Sequence, residues 1–391
     1  MNTTWSIFLK EVIDNLRDRR TLLTALVFGP LFGPLVFSLM IKFVIDRELD
    51  EGSQPIPVIA LGAEHAPELL SQLAMAGADI KLAEQGAAPE TILADSREQA
   101  VLVIPAAFQQ QLDAGKRARL EIWTDGAERK SRQRGDRLST LLEGWGREQV
   151  ALRMVARGIA PELLQPLLLD ERDVSTAASR STLVFAMLPY FVLLAGILGC
   201  FYLAIDATAG ERERGSLEPL LCLPVSRGSL VLGKVMAAFV FSLASLALSL
   251  GMFALAMPMI GLEAIGMDAS LSAAQLAFIM LAVAPFGFFA AGMLTLVASF
   301  AKSYKEAQTY LSIVMLVPLV PVIISSIASG DLTRGTALVP GLSQHLIILE
   351  SIKGTDISWL LLAFSGGSTL LLGALLTGAA VWIYRSERIL G

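Results

Sequence analysis

The chain has 391 residues, of which 54% are hydrophobic and 17% charged. Its mean hydropathy of +0.61 is too apolar for a soluble protein of this length and makes the bilayer its solvent. A net charge of -5 with no dense basic tract excludes nucleic acid as a partner. Two cysteines, Cys200 and Cys222, are too few for a disulfide framework or a zinc site and read as small apolar side chains.

Residues 1–20 place Trp5, Phe8, Leu9, Val12, Ile13 and Leu16 at helical spacing, opposite Lys10, Asp14, Arg17 and Asp18. This predicts an amphipathic helix beside the inner leaflet, resting on lipid or packed on protein. The first apolar run, 21–45, is longer than a signal-peptide core and shows no small-residue cleavage pattern, so it is expected to remain as a membrane anchor. It contains Gly29-Pro30 and Gly33-Pro34. Each proline removes a backbone hydrogen bond where glycine permits bending, and Gly29 with Gly33 forms a small face. A kinked, closely packed helix follows, serving as a hinge, a subunit seam or plain static packing.

Between 46 and 180 the composition turns polar, which predicts a folded α/β domain outside the membrane. Strand patterns occupy 55–62, 99–104 and 119–123, and helical patterns 67–76, 108–114 and 130–159. The acidic cluster Asp170, Glu171 and Asp173 reads as a solvated loop rather than a metal site.

A spanning helix needs about 20 apolar residues. Beyond the first run, such stretches recur at 182–205, 230–257, 273–300, 307–327 and 357–384. The fold class is therefore membrane α-helical: six transmembrane helices, with an extracytoplasmic α/β domain inserted between the first and second. Residues 181–391 form a five-helix bundle. Bases precede the first span (Lys10, Arg17, Arg19, Arg20) and follow the second (Arg212, Arg214, Arg227, Lys234), fourth (Lys302, Lys305) and sixth (Arg385, Arg388). The loop with Glu263 and Asp268 has none, and the segment 329–356 has only Arg334 and Lys353. Both termini are therefore expected in the cytoplasm. Tyr202, Tyr310, Trp382 and Tyr384 at inner ends and Trp359 at an outer end fit interfacial belts. The outer segment 338–353, apolar but short for a span, reads as a re-entrant or interfacial hairpin, with His345 an ordinary hydrogen-bonded histidine.

The loop 206–229 is the most informative stretch. Its run Gly210-Glu-Arg-Glu-Arg-Gly-Ser-Leu-Glu218 alternates acids and bases, and Leu217, Leu220 and Leu221 follow at helical spacing. This predicts a short amphipathic helix across the bilayer surface, shaped for docking. Pro219 is expected to kink or divide it, Pro224 to end it and Ser226 to cap the next span. Two decoys fall away. Gly228 to Val235 nearly spells a P-loop, but Val235 stands where Ser or Thr would hold magnesium and no strand precedes it. Phe364-Ser-Gly-Gly-Ser368 lies within a span, where small residues serve packing. Lys42 and Asp206 are close enough to span ends to snorkel, so no acid, base or inverted repeat marks an ion-coupled carrier. A nucleophile with its base is likewise absent, so the chain is read as no enzyme.

Gly210-Glu-Arg-Glu-Arg-Gly-Ser-Leu-Glu218, with Pro224, Arg227 and Gly233-Lys234, resembles the coupling loop of type-2 ABC transporter permeases, especially sodium-efflux (NatB-like) permeases. The likeness extends more weakly to Lys10-Glu11, Arg17-Asp18-Arg19-Arg20, Val101-Leu-Val-Ile-Pro105, Pro340 and Gln344, covering nearly the whole chain. It implies a multi-pass protein of the bacterial cytoplasmic membrane, two permease halves (a second copy or a paralogue), and two separate cytoplasmic ATPase subunits that carry ATP and Mg2+. This chain then holds no cofactor. By the same likeness, Glu211, Arg212, Glu213, Arg214, Gly215, Leu217, Glu218, Leu220, Leu221 and Pro224 enter the ATPase groove, and Na+ is exported. Export of drugs, lipids or other amphiphiles by the same layout is the alternative. A membrane-anchored sensor or scaffold fits less well, because five spans after the domain exceed what a tether needs.

Overall fold

The computed structural model describes residues 3–83, 87–95, 99–160, 185–222, 224–262, 271–327 and 332–386. Asp170, Glu171, Asp173, Glu263, Asp268 and Arg388 lie outside the described residues. Two units are distinguished: Met1–Ile45 with Val174–Gly391, and Asp46–Asp173.

The second unit is built on a four-stranded sheet ordered β2-β1-β3-β4. Strand β1 (Ile56–Leu61) buries every second residue and pairs in parallel with β2 (Ala78–Leu82) and β3 (Ala100–Val103), and β3 pairs antiparallel with β4 (Glu121–Thr124). Helices Pro67–Met75, Pro89–Asp95, Phe108–Asp113 and Arg129–Ala156 accompany it. The core gathers Ile56, Val58, Leu69, Leu73, Leu102, Ile104, Phe108 and Leu138. The long helix rests closely on β4, because a side chain at Gly135 would collide with Thr124. Strand β2 and the helix Pro89–Asp95 were not expected. Ala78-Asp-Ile-Lys-Leu82 has only a short apolar alternation, and its pairing from Ile56 opposite Ala78 onward is what holds it extended.

Among its described residues the first unit contains six helices apolar and long enough to cross a membrane: Leu23–Arg47, Phe185–Glu213, Arg227–Ile260, Ala273–Phe300, Tyr304–Ile327 and Trp359–Arg385. The second is the most buried and packs against the first, third and fourth. Without a hydrophobic force between helices in lipid, contact depends on close backbone approach and interhelical hydrogen bonds. Both are present. Ser242 donates to the Gly196 carbonyl and Ser245 to the Ala195 carbonyl, each at 2.7 Å. A Cβ at Gly199 would lie 2.8 Å from the Phe241 carbonyl oxygen and 2.5 Å from Ser245 Cβ. The fourth and sixth spans cross the same way, where a Cβ at Gly292 would lie 2.9 Å from the Gly373 carbonyl oxygen. Gly199→Leu is therefore expected to push the second and third spans apart and to cost about 3 kcal/mol or more. A lowered thermal midpoint of the purified variant checks it.

The first and fifth spans depart from simple continuous helices. Residues Leu23–Phe32 are wound as a wider π-helix around Pro30 before an α-helix, Gly33–Ser53, continues. A Cβ at Gly29 would sit 3.0 Å from Leu198 Cβ, and one at Gly33 would sit 2.8 Å from Phe191 Cδ1. The small face is thus filled by the second span of the same chain, which favours static packing over a subunit seam. The fifth span is two helices, Tyr304–Val314 and Leu319–Ile327, joined by a turn. Pro318 and Pro321 lack the N–H groups that would bond the Val314 and Val317 carbonyls, so the apolar run cannot stay continuous.

The outer segment forms the buried helix Leu342–Lys353. Gln344 is its anchor: its Oε1 accepts from the Gly341 N–H at 2.7 Å, and its Nε2 donates to Thr369 Oγ1 at 2.8 Å and to Ser365 Oγ at 3.2 Å. His345 Nε2 meets Ser325 Oγ at 3.1 Å. The segment is therefore packed among spans rather than laid on the surface, and Ser365 serves as a polar tie. Trp359, Trp382 and Tyr310 are exposed as belt residues should be, but Tyr384 is fully buried and belongs to the core.

Candidate functional site

The polar end of the bundle is built from the second span outward. Its helix does not stop where the apolar run ends. It passes through a π-turn, Asp206–Gly210, into Glu211–Glu213, so these charged residues stand on the span itself. Gly215, at φ 67°, then reverses the chain: its N–H reaches the Arg212 carbonyl and the Ser216 N–H reaches the Glu211 carbonyl, both at 3.0 Å. A non-glycine residue disfavours that left-handed conformation, so the break falls here and not at Pro219. The expected single amphipathic helix is in fact the span's last turn followed by a separate short helix, Leu217–Leu221. Ser226 caps the third span by accepting from the Ser229 N–H at 3.1 Å.

At the centre lies a buried ion pair. Lys234, 1% exposed and nearly two turns inside the third span, donates to the Glu211 carboxylate and to the Ala207 carbonyl, the latter at 2.5 Å. Lys10 stands 3.8 Å from the other oxygen of Glu211 and 3.0 Å from Glu11. Burial works against the Lys10 charge, but Glu11, Glu211 and Asp14 outweigh it and hold its pKa above the ordinary lysine value. Glu11 and Asn15 face inward, and Asn15 Nδ2 donates to the Glu11 carbonyl at 2.9 Å. The helix Thr3–Arg17 therefore packs on protein along this face, with Ile7 against Gly233, while Trp5, Ile13 and Leu16 stay exposed on the other.

The neighbouring charges close helix ends. A helix leaves its last carbonyls and first N–H groups without intrahelical partners. Arg212 donates to the Ala301 and Ser299 carbonyls at the end of the fourth span, at 2.7 and 3.3 Å. Glu213 Oε2 accepts from the Tyr304 N–H at 2.6 Å, at the start of the fifth. Both placements match the sign of the helix dipole. Arg227 donates to the Tyr384 carbonyl at 2.6 Å, at the end of the sixth. Arg214 pairs with Asp206 at 2.7 Å, which raises the arginine pKa further. One stretch of chain thus holds the ends of the second to sixth spans and the N-terminal helix at one end of the bundle.

The ten residues expected on a docking face divide into two sets. Glu211 and Leu217 are buried within the chain, and Arg212 is half-buried on its carbonyl partners. Leu220 and Leu221 are half-buried beside Ile7, Val225, Arg227 and Leu230, around a cavity of about 40 Å³. Glu213, Arg214, Gly215, Glu218 and Pro224 remain exposed, as does Cys222. Gly29, Pro30, Gly33 and Pro34 pack in the first span and do not join the cluster. In the sequence, Lys10 and Lys234 count only as orientation-setting bases, and Lys10-Glu11 and Lys234 as part of the family likeness; their convergence on Glu211 was not expected. The available signal was a charge buried inside an apolar helix, which requires a partner. The apparent P-loop opens the third span, and its lysine amine is occupied by Glu211. The cluster ties helix ends together and presents no arrangement for bond chemistry among the described residues.

A family model described as ABC-2 family transporter protein matches residues 19–381. Over 363 residues, 89% of each chain, the sequence is 26% identical to the ABC transporter permease protein NatB of Bacillus subtilis (strain 168).

Proposed function

The chain belongs to the ABC-2 family of transporter proteins, and on that premise we propose that it is an exporter half driven through the exposed face of 211–224. As a family member it is the multi-pass permease subunit of an ABC transporter, itself not catalytic, with ATP hydrolysis on a separate subunit. The finer reading has two ATPase subunits, carrying ATP and Mg2+, grip two permease halves, a second copy or a paralogue completing the pair. The tie between Glu211–Glu213 and the third, fourth and fifth spans carries this reading. Force applied at Glu218 would reach these ties through the buried Leu217 and the turn at Gly215, and packed, hydrogen-bonded elements shift as bodies between discrete arrangements. Binding and closure of the ATPases would then switch the path between inward and outward access.

Lys10, Arg212, Arg214, Arg227 and Lys234 gather at the same end, which supports a cytoplasmic placement of that end and of both termini. The unit Asp46–Asp173 would then face the outside, and the Bacillus relative supports a bacterial cytoplasmic membrane.

For the substrate, likeness to sodium-efflux permeases favours Na+. Proteoliposomes holding this permease with its ATPase are expected to move radiolabelled Na+ when ATP and Mg2+ reach the ATPase side. ATP-driven export of an amphiphilic dye without Na+ movement would replace sodium with the amphiphile alternative and leave the docking assignment standing.

A further inference from the structure

The sheet order of the α/β unit leaves β2 at an edge, paired with β1 on one side only. Along a strand, backbone N–H and C=O groups point to alternate sides from one residue to the next. The Ile56 N–H bonds the Gly77 carbonyl at 2.8 Å and the Ala83 N–H bonds the Ala60 carbonyl at 3.0 Å, so the odd-numbered positions of β2 are the ones that bond β1. Ala78, Ile80 and Leu82 therefore turn their backbone groups to the edge, where no further strand pairs with them among the described residues. Such an edge is a template for another chain. Leu82 is 71% exposed, and Met75, at the end of the preceding helix, is 80% exposed. Asp79 and Lys81 are exposed on the other face of the strand.

A lone lysine on an edge strand opposes pairing with a like strand. Asp79, two residues earlier, reverses that. Laid antiparallel on itself about Ile80, the strand sets Asp79 opposite Lys81 of a second copy, and Lys81 opposite its Asp79. The same register lets Ala78, Ile80 and Leu82 exchange both backbone bonds with the residues opposite them. It also puts the charged pairs at the non-hydrogen-bonded positions, where Cα atoms approach to about 4.5 Å and side chains are closest. Sliding by two residues either way keeps the backbone bonds but opposes Asp79 to Asp79 or Lys81 to Lys81, so charge selects one register. We propose that two copies of this permease join through their α/β units, β2 against β2, antiparallel about Ile80. The proposal rests on the reading of two permease halves and makes the second half a copy of this chain. A contact this short is below the size of a free-standing interface, but copies held in one assembly meet at high effective concentration.

Two differently tagged full-length permeases, one Asp79→Cys and one Lys81→Cys, would be coexpressed in a Cys222→Ser background, purified in detergent and oxidised with diamide; Cys200 is buried. A disulfide needs Cα atoms within about 7 Å, which opposite positions at about 4.5 Å satisfy and diagonal ones at about 7–8 Å do not. Disulfides between unlike tags are therefore expected at least about 5-fold above those between like tags. Ile80→Cys should link to itself across the two-fold axis. Adding Asp79→Lys should lower that yield roughly 5-fold or more, and adding Lys81→Asp as well should restore it. Should Ile80→Cys fail to fold, the mixed pair at the two exposed positions still decides. Equal yields between like and unlike tags overturn the register and with it the proposal. A dimer by light scattering without the mixed disulfide overturns the strand pairing and leaves two like halves standing, whereas a monomer overturns both.

Discussion

Lys234→Met is expected to destabilise the permease by about 3–5 kcal/mol, the cost of leaving a buried carboxylate without its partner. Glu211 would keep only Lys10, at 3.8 Å and half-exposed, and would lose the ammonium that also satisfies the Ala207 carbonyl. Glu211→Leu alone should cost a similar amount, by stranding Lys234. The double variant is the informative one: with both charges gone, an apolar pair of similar volume should recover most of the loss. Thermal midpoints of the four proteins in detergent give the coupling directly. Additive losses would show that the two groups do not depend on each other. The double variant also separates holding from transmitting. Were the pair mainly a mechanical tie, this stable protein should bind its ATPase yet transport poorly, whereas full transport would reduce the pair to a structural role.

Much of this architecture is legible in the amino-acid order because a bilayer imposes a length. Apolar runs near 20 residues can be little else, and the second, third, fourth and sixth spans fall where those runs lie. The fifth also lies where its run does, but hydropathy does not register that Pro318 and Pro321 each delete a backbone donor and divide it into two helices. In the docking stretch, Leu217, Leu220 and Leu221 announce an apolar face, but periodicity cannot say what covers it. Leu217 turns out to be buried by its own chain. Gly215, at φ 67°, stops the helix, whereas Pro219 sits inside the short helix that follows. The pairing of Glu211 with Lys234 lies beyond such reading altogether. The residues are 23 positions apart, and only the antiparallel return of the third span along the second brings them together.

The loop charges have a second consequence. Arg212 and Glu213 are adjacent in sequence yet close opposite kinds of helix end, one accepting the cation and the other the carboxylate. The connection between the fourth and fifth spans is therefore clamped from the second, and removing either residue would loosen that connection as well as any docking face. Neither is a clean probe of partner binding. Glu218 and Cys222, exposed and four residues apart, are.

Glu218→Arg with Cys222→Arg is expected to leave stability within about 0.5 kcal/mol of the parent, as exposed substitutions away from special features do. Loss of partner binding should nonetheless be large. Two new cations at the centre of a desolvated contact would cost at least about 2 kcal/mol, or roughly 30-fold in affinity, the scale of a hot-spot residue. Co-purification of the ATPase subunit and stimulation of its hydrolysis by the permease would both fall, while the thermal midpoint held. Leu217→Asp is the contrasting case. It places a charge in the chain's own core, and its effect on the partner should follow from unfolding, with a lowered midpoint to show it. Full ATPase association by the double arginine variant would move the docking face away from this turn. Equal loss of stability in both variants would mean that Glu218 and Cys222 contribute to the fold instead of facing a partner.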